Sequence, residues 1–174
     1  MRKAGSVKSN KLAQISEVPD RKEILLAPEG TISATKNFLL LAYYLAHNIP
    51  EYNFVLRIHP ALKYRKVKMR RKFFNLRISD ESLFHDLTRS KYCVYRSSAV
   101  SIEAGLYGCI PVYFDTSPNN LDPLSIFKYA RYRFHDKRDL LQFFFSSQIE
   151  DCSDSRFETE CQNYFEDLDL AIFF

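Results

Sequence analysis

Residues 92–115 read YCVYRSSAVSIEAGLYGCIPVYFD, and this stretch decides the fold. The apolar run at its start predicts a buried strand, Arg96-Ser97-Ser98 a tight turn, residues 99–107 a helix and residues 110–114 a second strand. Two strands joined through a helix run parallel, so the stretch predicts one βαβ unit. The hydroxyls of Ser97 and Ser98 and the carboxylate of Glu103 cluster where the first strand hands over to the helix. Backbone N–H groups in a helix's first turn lack intrahelical partners, so an anion, and phosphate above all, is the expected ligand there.

The same alternation extends upstream. Residues 24–28 (ILLAP) predict a short buried strand ending in Glu29-Gly30, and residues 33–48 a helix with Ser33 as its N-cap and a broad apolar face. Residues 53–58 (NFVLRI) predict a strand halted by Pro60, residues 73–78 a third strand, and residues 79–89 a helix capped by Ser79. Downstream, residues 124–130 predict a short helix, residues 132–134 a last strand, and residues 137–145 and 156–167 two further helices. Strands alternating with helices give an α/β fold, a three-layer Rossmann-like domain with a mostly parallel sheet. The polar, aperiodic residues 1–21 read as a flexible lead or linker, and residues 22–174 as one domain.

Composition narrows the function. The 174 residues carry a formal net charge of +4, which suits an anionic ligand or an acidic membrane surface and is too weak to imply nucleic acid. Basic residues concentrate in residues 63–72 (KYRKVKMRRK), either a solvated surface or a contact for anionic lipid headgroups or a polyanionic acceptor. Four cysteines lack zinc spacing, and Cys93 and Cys109 sit in apolar runs as buried thiols, which argues for a reducing compartment. No run approaches a membrane span and no signal peptide is seen, so a cytoplasmic protein is expected, with peripheral contact at the inner membrane face left open. Fifteen phenylalanines and eleven tyrosines without a tryptophan predict a well-filled core, with Phe143, Phe144 and Phe145 leaving apolar surface.

Several residues have both a bland and a chemical reading. Ser97 and Ser98 either cap a helix or also hold a phosphate; the turn has no glycine, so the hydroxyls themselves would reach the ligand. Glu103 is either a solvated carboxylate or a bidentate acceptor for a ribose diol. His59, pinned by Pro60 into extended backbone, would project from the carboxyl edge of the sheet, with Arg57 two residues earlier on the same face. There an imidazolium stabilises or protonates a leaving phosphate, unless the ring is merely structural. Glu29-Gly30 is either a strand-to-helix turn or a carboxylate that orients His59 or acts as base, beside a glycine that permits close approach. His47, His85 and His135 form no metal-ligand pattern, and no Walker, GxSxG or HExxH motif occurs.

PEG at residues 28–30, RIHP at 57–60, SDESLFHDL at 79–87 and YRSSAVSIEAGLYGCIPVYFD at 95–115 together resemble the C-terminal, donor-binding half of GT-B glycosyltransferases. The bacterial surface-carbohydrate group is the nearest in flavour: the polysialyltransferase and sialyltransferase families and the polyol-phosphate transferases of wall teichoic acid synthesis. The resemblance covers residues 24–115. It implies a single Rossmann-like GT-B half that binds a CMP-, UDP- or CDP-linked sugar for capsule or lipopolysaccharide synthesis. His59 would assist departure of the nucleotide, with Glu29 the doubtful base. Ser97, Ser98, Glu103, Arg57 and Gly30 would hold the donor. No cofactor is implied, and transfer would not depend on a metal. A complete GT-B enzyme has two such domains, so the acceptor half would come from another polypeptide or a homo-oligomer. The alternative is a non-catalytic nucleotide-binding subunit of a separate glycosyltransferase. An epimerase relative or a receiver-like module is a further reading.

Overall fold

The computed structural model describes residues 21–62, 67, 69–117, 121–129, 132–146 and 155–164. The expected lead of residues 1–20, much of the basic run at 63–72 and the end of the helix expected at 156–167 lie outside them.

Six strands form one sheet: β1 (Glu23–Ala27), β2 (Asn53–Leu56), β3 (Leu76–Ile78), β4 (Ser90–Tyr95), β5 (Ile110–Phe114) and β6 (Tyr132–Phe134). Their order is β3-β2-β1-β4-β5-β6, and every pairing is parallel, so the sheet goes beyond the mostly parallel one expected. A parallel sheet covered on both faces needs strands that are apolar throughout. All five residues of β1 are buried, as are the last three of β2 and the last four of β4.

Helices α1 (Ile32–Asn48) and α4 (Lys137–Phe145) cover one face. There Ile24, Leu26, Leu56, Val94 and Val112 pack on Phe38, Leu45 and Phe144. Helices α2 (Leu83–Arg89), α3 (Val100–Leu106) and α5 (Ser155–Tyr164) lie on the other face, where Leu25, Val55, Cys93 and Tyr95 meet Leu87, Ile102, Phe157 and Cys161. Of the phenylalanine triplet, Phe144 is buried against Tyr92 and only Phe145 is largely exposed. Cys93, Cys109 and Cys161 are buried free thiols. No described helix is long and apolar enough to cross a membrane.

Helix starts differ from the sequence reading. Thr31, not Ser33, caps α1, its hydroxyl accepting from the Ala34 N–H at 3.1 Å. Ser82, not Ser79, caps α2. Ser79 instead gives its hydroxyl hydrogen to the buried Asp86 carboxylate at 2.6 Å. In both places two hydroxyl residues stand close together, and at α2 the bond of Ser79 to Asp86 leaves the cap to Ser82. The third strand begins at Leu76 rather than residue 73, and the helix expected at 124–130 is a 3-10 turn, Pro123–Ile126. Asp122 caps the start of that turn, its carboxylate accepting from both the Leu124 N–H and the Tyr95 hydroxyl.

Candidate functional site at the carboxyl edge of the sheet

β1 and β4 are neighbours, yet the chain leaves them in opposite directions: α1 crosses one face toward β2, and α3 crosses the other toward β5. Such a reversal of strand order opens a crevice at the carboxyl ends of the two strands.

The register of the sheet lays out what faces that crevice. Ile78, Leu56, Leu26, Val94, Val112 and Tyr132 form one continuous rung across all six strands. Three residues beyond that rung stand Glu81, His59, Glu29, Ser97, Asp115 and His135, in the same spatial order. His59, Glu29 and Ser97 are therefore brought to three adjacent strand ends.

Gly30 and His59 are in direct contact. A Cβ on Gly30 would fall 2.8 Å from His59 Nδ1, so the ring rests where a side chain would otherwise be. Nδ1 also accepts from the Ala61 N–H at 3.2 Å, which leaves Nε2 as the protonated, donating nitrogen.

Glu29 and Asp115 are joined through Arg96, a residue that the sequence reading passed over. The guanidinium lies 3.3 Å from Glu29 Oε1 and 3.5 Å from Asp115 Oδ1. Glu29 Oε2 is buried and has no hydrogen-bond partner among the described residues. Asp115 is fully buried; it accepts from the Ser117 N–H at 2.9 Å and from the Tyr113 hydroxyl at 3.3 Å. Burial beside that carboxylate pushes the Tyr113 phenol up to about 12. His135 Nδ1 donates to the Asp115 carbonyl oxygen at 2.7 Å. Arg96, Asp115 and His135 share a cleft of about 390 Å³ with the apolar walls of Phe38, Leu41 and Phe114. Its signal in the sequence was a charged or imidazole residue just past each apolar run, which becomes visible once the strands are counted in register.

Ser97 has φ 45°, a left-handed conformation that an L-residue adopts at a cost, and its hydroxyl donates to the Leu121 carbonyl at 3.0 Å. Ser98 Oγ accepts from the Val100 N–H at 3.4 Å. α3 therefore starts one residue later than expected, with Ala99 at its cap position and no side-chain cap bond. Glu103 is half-buried on α3, and Tyr107 on the same helix face meets Phe84 of α2 with ring centroids 5.3 Å apart.

Arg57 is not brought to this group. Its guanidinium turns toward α2, 2.6 Å from Asp86 Oδ2 and 2.9 Å from the Glu81 carbonyl. Asp86 is fully buried and draws Arg57 into the core.

An all-parallel sheet in this order, with its crevice at the β1/β4 junction, is the Rossmann-like fold of one half of a GT-B enzyme. The sequence itself matches no protein-family model and no curated protein at a significant level. Solved structures match the fold. The wall teichoic acid polymerase TagF, solved after a soak with CDPG, superposes with a TM-score of 0.59 at 12% identity, over 84% of this chain and 37% of that one. The UDP-GlcNAc 2-epimerase of Neisseria meningitidis, bound to UDP-GlcNAc, gives 0.55 at 16% identity, over 84% and 41%. A putative UDP-N-acetylglucosamine 2-epimerase of Listeria monocytogenes gives 0.53 at 12% identity, over 86% and 42%. This chain thus spans about two fifths of the length of each of these three structures.

Proposed function

We propose that this domain binds a nucleotide-activated sugar at the carboxyl edge of its sheet and serves as the donor-binding half of a glycosyltransferase of cell-surface polysaccharide synthesis. The observation that carries the reading is the row of His59, Glu29, Ser97 and Asp115 on adjacent strand ends across the strand-order reversal. Two of the structures with this fold are named as carrying nucleotide-linked ligands, CDPG and UDP-GlcNAc.

The chemistry divides along the row. The His59 Nε2–H and the Ser98 hydroxyl donate to the phosphate, and charge that grows on the phosphate as the sugar leaves strengthens both bonds. Glu103 takes the ribose diol through its two oxygens. The carboxylate of Glu29, paired with Arg96, accepts from sugar hydroxyls, and the adjoining cleft of about 390 Å³ has room for the ring. Transfer to an acceptor needs the second half of such an enzyme, so binding is the activity assigned to this domain by itself.

Calorimetric titration with CMP, UDP, CDP and GDP tests the reading. One nucleotide should bind selectively, and His59→Ala or Ser97→Ala/Ser98→Ala should weaken it by about tenfold or more, since each deletion removes a charge-assisted hydrogen bond. If none of the four binds, or the variants bind as the native chain does, the donor assignment is wrong.

A further inference from the structure

A second concave surface lies outside the crevice. Between α1 and the residues Leu62, Met69 and Arg70 runs a groove of about 760 Å³. Its walls are apolar: Ile32, Leu39, Leu40, Tyr43, Leu62 and Met69. Leu40, in the middle of α1, is 65% exposed, which is a high cost for a leucine with nothing over it. The outer wall is fastened through Tyr43. Its hydroxyl accepts from the N–H groups of Arg70 at 2.9 Å and Arg71 at 3.4 Å, and its ring packs on Phe73 with centroids 5.8 Å apart.

The rim of this groove is cationic. Lys36 and Arg70 line it, and Arg71 and Lys72 continue the same segment. All four are exposed, and none forms an ion pair among the described residues. Several arginines elsewhere on the molecule are matched: Arg57 by Asp86, Arg89 by Glu23, Arg133 by Asp122 and Arg138 by Asp136. An apolar trough edged by unmatched positive charge fits a ligand that is hydrocarbon at one end and anionic at the other.

We propose that the groove is a lipid site: one acyl chain of an anionic membrane lipid lies along Leu39, Leu40 and Met69 while its phosphate meets Lys36 and the Arg70–Lys72 cations. The charge picks the occupant, because an anionic leaflet attracts juxtaposed basic residues and an apolar protein surface would leave the rim uncompensated. Tyr43 suits the boundary, with its ring in the trough and its hydroxyl tied to the backbone. The site attaches the domain to a membrane face without a spanning helix. The inference is independent of the donor assignment, and its test uses no nucleotide.

The test is cosedimentation of the full chain with vesicles of equal parts phosphatidylcholine and phosphatidylglycerol, against vesicles of phosphatidylcholine alone. The chain should bind the mixed vesicles, and the binding should weaken with salt. Arg70→Gln/Arg71→Gln should lose about fivefold in affinity for each cation removed. Leu40→Glu, a change at an exposed position, should lose on the order of tenfold with every cation still in place. Because the chain has no tryptophan, Leu62→Trp supplies a single reporter, and vesicles with brominated acyl chains should quench it. Met69→Trp serves if the first variant fails to fold. Absence of binding to mixed vesicles overturns the lipid site and leaves the groove to a protein partner. Binding that ignores Leu40→Glu and leaves the tryptophan unquenched also overturns it, because charge by itself would then hold the chain to the surface.

Discussion

Arg57 and Arg96 follow β2 and β4, the strands on either side of β1, yet their guanidiniums do different work. Arg96 lies between Glu29 and Asp115 at the crevice, where it keeps two carboxylates from repelling each other. Arg57 is spent on Asp86, whose side chain is fully buried and whose Oδ1 has no hydrogen-bond partner. Removing Arg57 would leave that charge only the more distant Arg77, at 3.9 Å, and the Ser79 hydroxyl, so Arg57→Ala should cost about 2 kcal/mol of stability, read from a urea denaturation midpoint. Nucleotide affinity in the folded fraction should stay near the native value, and a selective loss of affinity at unchanged stability would reverse this division of labour. Sequence spacing placed Arg57 and His59 on one side of an extended chain. It could not foresee the buried carboxylate on α2, which lies 29 residues away and outcompetes solvent for the arginine. Asp86 looked like an ordinary acid in a helix, and its burial is a tertiary fact.

Among the elements, the strands and helices flanking the crevice were legible and the caps were not. Apolar runs bounded by turn residues located β1, β2, β4 and β5, since a strand covered on both faces has little freedom in composition. Cap selection at Thr31 and Ser82 turned on which of two nearby hydroxyls met the helix N–H groups, and local propensity scarcely separates them. The contact of α3 with α5 was also invisible, because it depends on a missing side chain. Gly105 lies so close to Cys161 and Phe157 that a Cβ there would collide with both. Gly105→Ala should therefore destabilise the domain by about 1–3 kcal/mol despite its higher helix propensity, because overpacking outweighs the gain. Thermal unfolding of that variant beside Gly105→Ala/Cys161→Ala checks it, since the second change should restore part of the loss.

For the whole molecule, the buried acids that hold their protons set a limit at high pH. Burial raises the Cys109 and Cys161 thiols to about 12 and the Tyr113 phenol to about 12, and pushes the Tyr95 phenol up further through its bond to Asp122. In the unfolded chain these groups ionise at their ordinary values, near 9 for the thiols and 10 for the phenols. Above those values the unfolded state binds fewer protons than the folded one, so stability falls as pH rises. It should decline steadily between about pH 9 and pH 12 and stay level against these groups below pH 8, as denaturation midpoints across that range will show. The class of fold was legible from alternation along the chain. What alternation lacked was register, which depends on which strand lies beside which, and Arg96, Asp115 and His135 joined the candidate site only when the strands were aligned.

The six-residue row beyond the common rung has an evolutionary corollary. Each member follows its own strand, and the hydrogen-bonded ladder beneath sets its height, with the bond of His135 to the Asp115 carbonyl as a link along the row. Exchanging the short segment that follows one strand should replace one member of the row and leave the sheet beneath it in place. The edge is thus modular, and descendants of such a domain could change what they recognise one strand at a time while the sheet below stays the same.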